Sequence, residues 1–145
     1  MTKINGDTIF SDTFKNLYYL VSGTVAGSVN GIYSQFPSLD SPNFKGYPIC
    51  IIEAANVGKD SETFGNNNIN NYGINSSITI HSKSWNTIDS ISDKIGSALD
   101  AANKSETGTY ASGLVHMDYQ TSNGTNVIND SSIHYRGFGL SYEFN

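Results

Sequence analysis

Charge is what this sequence has least of. Charged residues fill 14% of its 145 positions, with 8 Lys and Arg against 13 Asp and Glu. Binding nucleic acid by counterion release needs clustered cations, and the few cations here are scattered along the chain. A net charge of −5 repels DNA, which suits a surface that DNA slides past rather than one that holds it. Cysteine is nearly absent too. Cys50, alone in the apolar run "YPICIIEA", excludes an internal disulfide and reads as a small buried hydrophobe rather than a nucleophile. No apolar run approaches the roughly 20 residues that span a bilayer. "MTKINGDTIF" holds no apolar segment of signal-peptide length. The expectation is synthesis in the cytoplasm and no membrane partner.

Ser, Thr, Asn and Gly stand where charge is missing, and the ordering signals lie between them. "FSDTFKNLYYLVSG" has helical period, with Phe10, Phe14, Leu17, Tyr18 and Val21 on one stripe, Ser11 as cap and Gly23 as stop. Pro37 and Pro42 forbid helix in the turn-rich segment that follows, where "GIYSQF" is a short strand candidate. "YPICIIEAANV" reads as a buried strand entered through Pro48. The Asn-rich stretch 58–73 reads as a polar loop and a place for partner contact. "INSSITIHS" alternates, with Ile74, Ile78 and Ile80 opposite Asn75, Ser77, Thr79 and His81. A second helix follows from Ser84 to Lys104. Its stripe is Ile88, Ile91, Ile95, Ala98, Leu99 and Ala102, with Ser84 or Asn86 as cap and Asp89 in its first turn. "LVHMDYQT" alternates, "SNGTNVINDSS" carries turn chemistry, and "IHYRGFGLSYEF" closes an antiparallel hairpin with Phe138 and Leu140 on one face. The length suits one domain, 1–145. Its expected class is α+β: a mainly antiparallel sheet of about four to five strands with two helices packed on one face.

Chemistry is harder to find. In "ITIHSKSWNTIDSISDKI", Ser84, His81 and Asp89 have the residue types of a nucleophilic triad, yet no GxSxG elbow is present. A cap, a strand-face histidine and a helix-end carboxylate account for the same three residues. His81, His116 and His134 lie on three separate strands without metal-binding spacing, so solvent-facing histidines are the favoured reading. No dinucleotide or P-loop pattern accompanies the "GFG" at 137–139. No catalytic residue, metal or cofactor is therefore expected. The 9 Tyr, 7 Phe and 1 Trp are the surplus. Tyr33, Phe36, Tyr47, Phe64, Tyr72 and Trp85 fall near element ends or in loops, where they serve either an extended core or a protein interface.

The order of these pieces resembles a known family. A helix precedes the "YPICIIE" strand and a long polar stretch. Then come a strand ending "ITIHSKS", the helix "WNTIDSISDKIGSALD", the strand "VHMDYQT" and the aromatic final strand "YRGFGLSYEF". From about residue 10 onward this is similar to the tail terminator (tail-completion or tail-joining) proteins of long-tailed phages and related archaeal viruses. The resemblance implies an α+β fold and a hexameric ring that caps the tail tube, ends its growth and docks to the head connector. Expected partners are other copies of itself, the tail tube protein and a head-completion or connector protein, with DNA only in transit. The expected location is the virion neck. It implies no catalytic residues and no cofactor. Two neighbouring readings remain: a head-completion or connector protein of the same neck, and, from other classes, a small hydrolase using His81 with Ser84 or Asp118, or a glycan-binding module using Trp85.

Overall fold

The computed structural model of this chain describes residues 6–64, 67–104 and 114–144. After a 3-10 turn at Gly6–Thr8, helix α1 spans Ile9–Val25. It starts ahead of Ser11, so Ser11 is not its cap; Thr8 stands there, and its hydroxyl donates to the Asp12 carboxylate at 2.6 Å. Gly23 does not stop it either. The buried stripe comprises Ile9, Leu17, Leu20, Val21 and Val25 with the polar Asp12, Thr13 and Asn16 among them. Phe10 is 60% exposed, so the helix is rotated away from the Phe10–Phe14–Tyr18 stripe. Both stripes have helical period, but the aliphatic one continues to the last residue of α1 and buries more of its length.

Strands β1 (Gly31–Tyr33), β2 (Ile49–Ile52), β3 (Asn56–Phe64) and β4 (Asn67–Ser82) follow. Helix α2 (Trp85–Lys104) then crosses to β5 (Leu114–Ile128) and β6 (Ser131–Phe144). They form a six-stranded sheet in the order β1-β2-β4-β6-β5, with β3 paired to β4 beyond the end of β2. All pairings are antiparallel except the short β1–β2 contact. The expected α+β class with both helices on one sheet face is the fold observed, and the sheet exceeds the four to five strands expected.

Two turn-like stretches are strand instead. In the polar run, residues 58–64 form most of β3 and residues 67–73 the start of β4, paired from Asn56↔Asn75 to Phe64↔Asn67. Asparagine is a poor strand former in isolation, but a hairpin partner in register overrides so weak a preference. Asn123-Gly124, a strong two-residue turn signal, lies inside β5 opposite Arg136 and Tyr135. The chain reverses later, at Asn129 and Asp130, whose φ values of 49° and 61° suit a tight hairpin turn. Gly124 serves another purpose: the Tyr135 ring lies across it, in space that a Cβ would occupy.

Alternation divides the sheet cleanly. Cys50, Ile52, Ile74, Ile78, Ile80, Phe138 and Leu140 meet Ile88, Ile91, Ile95 and Leu99 of α2 and the stripe of α1 in one buried cluster. Ser84 caps α2, accepting from the Thr87 N–H at 3.4 Å. Lys94 of α2 donates to Ser28, just past α1, at 2.7 Å. On the opposite face Ile49, Ile51 and Ile133 are also buried. Phe36, in the segment after β1, stands edge-on to His81 there at 5.2 Å.

Candidate interaction surfaces

The fold separates two members of the candidate triad, His81 and Asp89. Ile80 faces the helices, so its neighbour His81 points to the opposite face, where it pairs across the sheet with Tyr135. Asp89 is on α2 and accepts a hydrogen bond from Arg136, which pairs with Ile80 on the helix side. The sheet therefore lies between His81 and Asp89. Asp118 shares the face of His81 but sits six positions along β5 from Gly124, the residue level with Tyr135. At strand rise that is about 20 Å, far beyond hydrogen-bond reach. Ser84 is engaged as the helix cap.

His81 and His134 do not converge either. His134 pairs with Ser82 and lies on the helix side, opposite in facing to His81. Among the described residues no three His, Cys, Asp or Glu side chains gather to hold a metal. The expectation of solvent-facing histidines fails for His81, which is 8% exposed beneath Phe36 and beside Tyr135. Burial among these rings lowers its pKa from the ordinary 6.5. The signal available in the sequence was Phe36 itself, three residues past the short strand, but nothing local says that it folds back. The side chain of His116 lies outside the described residues. Cys50 is fully buried, and burial pushes its thiol up to about 12, well away from a reactive thiolate.

The aromatic candidates separate into distinct settings. Tyr33 folds back over Gly31 of its own strand, where a Cβ would collide with the ring. Phe36 covers His81 while remaining partly exposed. Tyr47 packs edge-on to Phe44 at 5.4 Å, with its hydroxyl buried and without a hydrogen-bond partner among the described residues, and burial raises its pKa. The Lys59 ammonium stands 5.9 Å from the Tyr72 ring centre. Phe64 ends β3, and its side chain lies outside the described residues. Trp85 opens α2 and stacks on His134. The exposed rings whose spacing predicts a core position are on α1. Phe10 and Tyr18 point outward, with Tyr19 beside them at 54% exposure. Their four-residue spacing was legible; that the rival stripe would take the core was not.

Between the covered end of the open face and its far end lies a bare polar strip. Asn75, Gly139, Ser141, Asp118 and Gln120 line a shallow hollow there. Side chains of this size and polarity leave the sheet flat and wet, without a cationic cluster to grip phosphate.

No known family model matches this chain, and no curated protein sequence matches it. Among solved structures, it is similar to a chain described as "Virion of native gene transfer agent (GTA) particle". The match covers 91% of this chain and 90% of that one, with a TM-score of 0.53 at 12% sequence identity. At that identity the likeness is one of fold.

Proposed function

We propose that this chain is a virion structural protein of the head–tail neck. It acts as a tail terminator: a hexameric ring that caps the tail tube, ends its polymerisation and docks the tail to the head connector while DNA passes through. The observation that carries this reading is the shared fold, over nine-tenths of both chains, with a component of a gene transfer agent virion. The order of elements that resembles tail terminators supports it. So does the sheet between His81 and Asp89, which keeps Asp89 from orienting His81 as a triad needs. A net charge of −5 and a flat polar sheet face suit a conduit that must not hold DNA.

Negative-stain microscopy of the purified protein, alone and with tail tube protein, tests the reading. Closed rings, and tubes that stop growing once the protein is added, are the expected result. A protein that stays monomeric and binds no tube end counts against it. One that binds the connector but not the tube reassigns it to head completion.

A further inference from the structure

We infer that β5 is the edge through which copies of this chain join, each taking β3 of the next copy in antiparallel pairing. The inference rests on the ring-forming reading above and names the joint that the ring would use.

An edge strand exposes a row of unpaired N–H and C=O groups, and proteins that must stay apart blunt it with lysine, proline, bulges or a short length. β5 has little of that protection. It is 15 residues long, "LVHMDYQTSNGTNVI", with no proline, no lysine or arginine and one charged residue, Asp118. Its pairing to β6 is unbroken from His116 to Ile128, with a register shift only near Leu114. No described strand pairs with its outer side.

The other side of the same sheet offers a matching edge. β3 pairs with β4 alone over nine residues, and its outer side is unpaired among the described strands. β1 covers the rest of that side for only three residues. One chain thus carries both halves of a head-to-tail joint, and for that reason the occupant is a second copy.

Strand direction agrees. β6 is antiparallel to both β4 and β5, and β3 is antiparallel to β4, so β3 and β5 run in opposite senses. A rotation about an axis inclined to the strands by well under a right angle keeps those senses, so β5 of one copy meets β3 of the next antiparallel, the more stable arrangement. β3 also runs past the sheet: residues 67–71 of β4 pair with β3 but not with β6. Engaging β3 along β5 therefore staggers neighbouring copies along the strands, and a closed sheet takes up such a stagger by tilting its strands from the ring axis.

Residue-resolved hydrogen exchange on the full-length protein, free and assembled, tests the joint. The outward-pointing amides of β5 should exchange at least about tenfold more slowly in the assembly than in the free chain. The amides of β3 should follow the same pattern. Gln120→Pro and Thr121→Pro are the companion variants, because adjacent strand N–H groups point to opposite sides. The one whose N–H faces outward should keep its circular dichroism and lose assembly. Rings that form while β5 exchanges as in the free chain overturn this joint and leave the ring reading standing. Rings formed by both proline variants overturn it in the same way. Protection of β5 that appears only on tail tube protein, without rings, overturns pairing between copies. A chain that never assembles overturns both.

Discussion

Trp85, the first residue of α2, stacks on His134 of β6 with ring centres 4.7 Å apart and planes 18° from parallel. His134 in turn shares a 2.8 Å hydrogen bond with Thr125 of β5, through its Nδ1. Two positions along, the Arg136 guanidinium carbon lies 5.8 Å from the Trp85 ring centre. Arg136 reaches Asp89 and Asn123 at 2.8 Å each, and Ser92 at 3.2 Å. These contacts pin the start of α2 to the hairpin of β5 and β6. A tryptophan that suggests an interface when met in sequence has a place in the fold.

Trp85→Ala should therefore lower stability of the isolated chain by about 1–2 kcal/mol, from the lost stacking and the partly buried ring area. Urea unfolding measures it. An unchanged midpoint together with lost assembly would return Trp85 to the interface.

Arg136 and Asp89 form the ion pair, but they should not prove equal. Asp89 is largely exposed, and its replacement by Asn should cost under about 1 kcal/mol. Arg136→Ala removes bonds to three residues and the cover over Trp85, and should cost about 1–3 kcal/mol. Arg136→Lys should recover only part, because an ammonium cannot present the planar fork that spans Asn123 and Asp89. Equal costs for Asp89→Asn and Arg136→Ala, in the same urea series, would show that the pair alone matters.

Wherever one periodicity stood unopposed, the sequence was enough. Ile78 and Ile80 of β4, Phe138 and Leu140 of β6, and the isoleucine stripe of α2 all face the core as their spacing requires. Competition is what defeated the rest. In α1 two stripes of equal period overlap at Leu17 and Val21, and the choice is made by the sheet rather than by the helix. Asn123-Gly124 carries a turn signal, but the glycine answers to the Tyr135 ring across the strand. Asn67, Asn68, Asn70 and Asn71 are strand only because β3 lies beside them. His81 is buried by Phe36, 45 positions earlier, a contact that no local pattern encodes.

The polar half of the α1 stripe has a cost. Thr13 and Asn16 are buried, and among the described residues the Thr13 hydroxyl and both Asn16 amide atoms have no hydrogen-bond partner. An orphaned buried polar group costs about 1–3 kcal/mol. Thr13→Val, which keeps the shape, should raise stability by about 1 kcal/mol, and Asn16→Leu by about as much or more. Thermal unfolding of each variant decides. A fall for both would mean that buried water or a partner satisfies these atoms.

His81 makes a prediction in pH. Its folded pKa is lowered because burial between Phe36 and Tyr135 disfavours the imidazolium, while the unfolded chain titrates near the ordinary 6.5. Below that value the unfolded state binds the proton more readily, so the stability held by neutral His81 is full above pH 6.5 and drains as pH falls toward its folded pKa. One such proton gives a slope of up to about 1.4 kcal/mol per pH unit. Glu53, an exposed carboxylate, lines the hollow that also holds His81, Phe36 and Tyr135. His81→Phe keeps a ring of similar size against Phe36 and should flatten the dependence between pH 7.5 and 5.5, by at most about 1.4 kcal/mol across that span. Denaturant melts of both proteins at the two pH values make the comparison, and parallel losses would assign the slope to other groups.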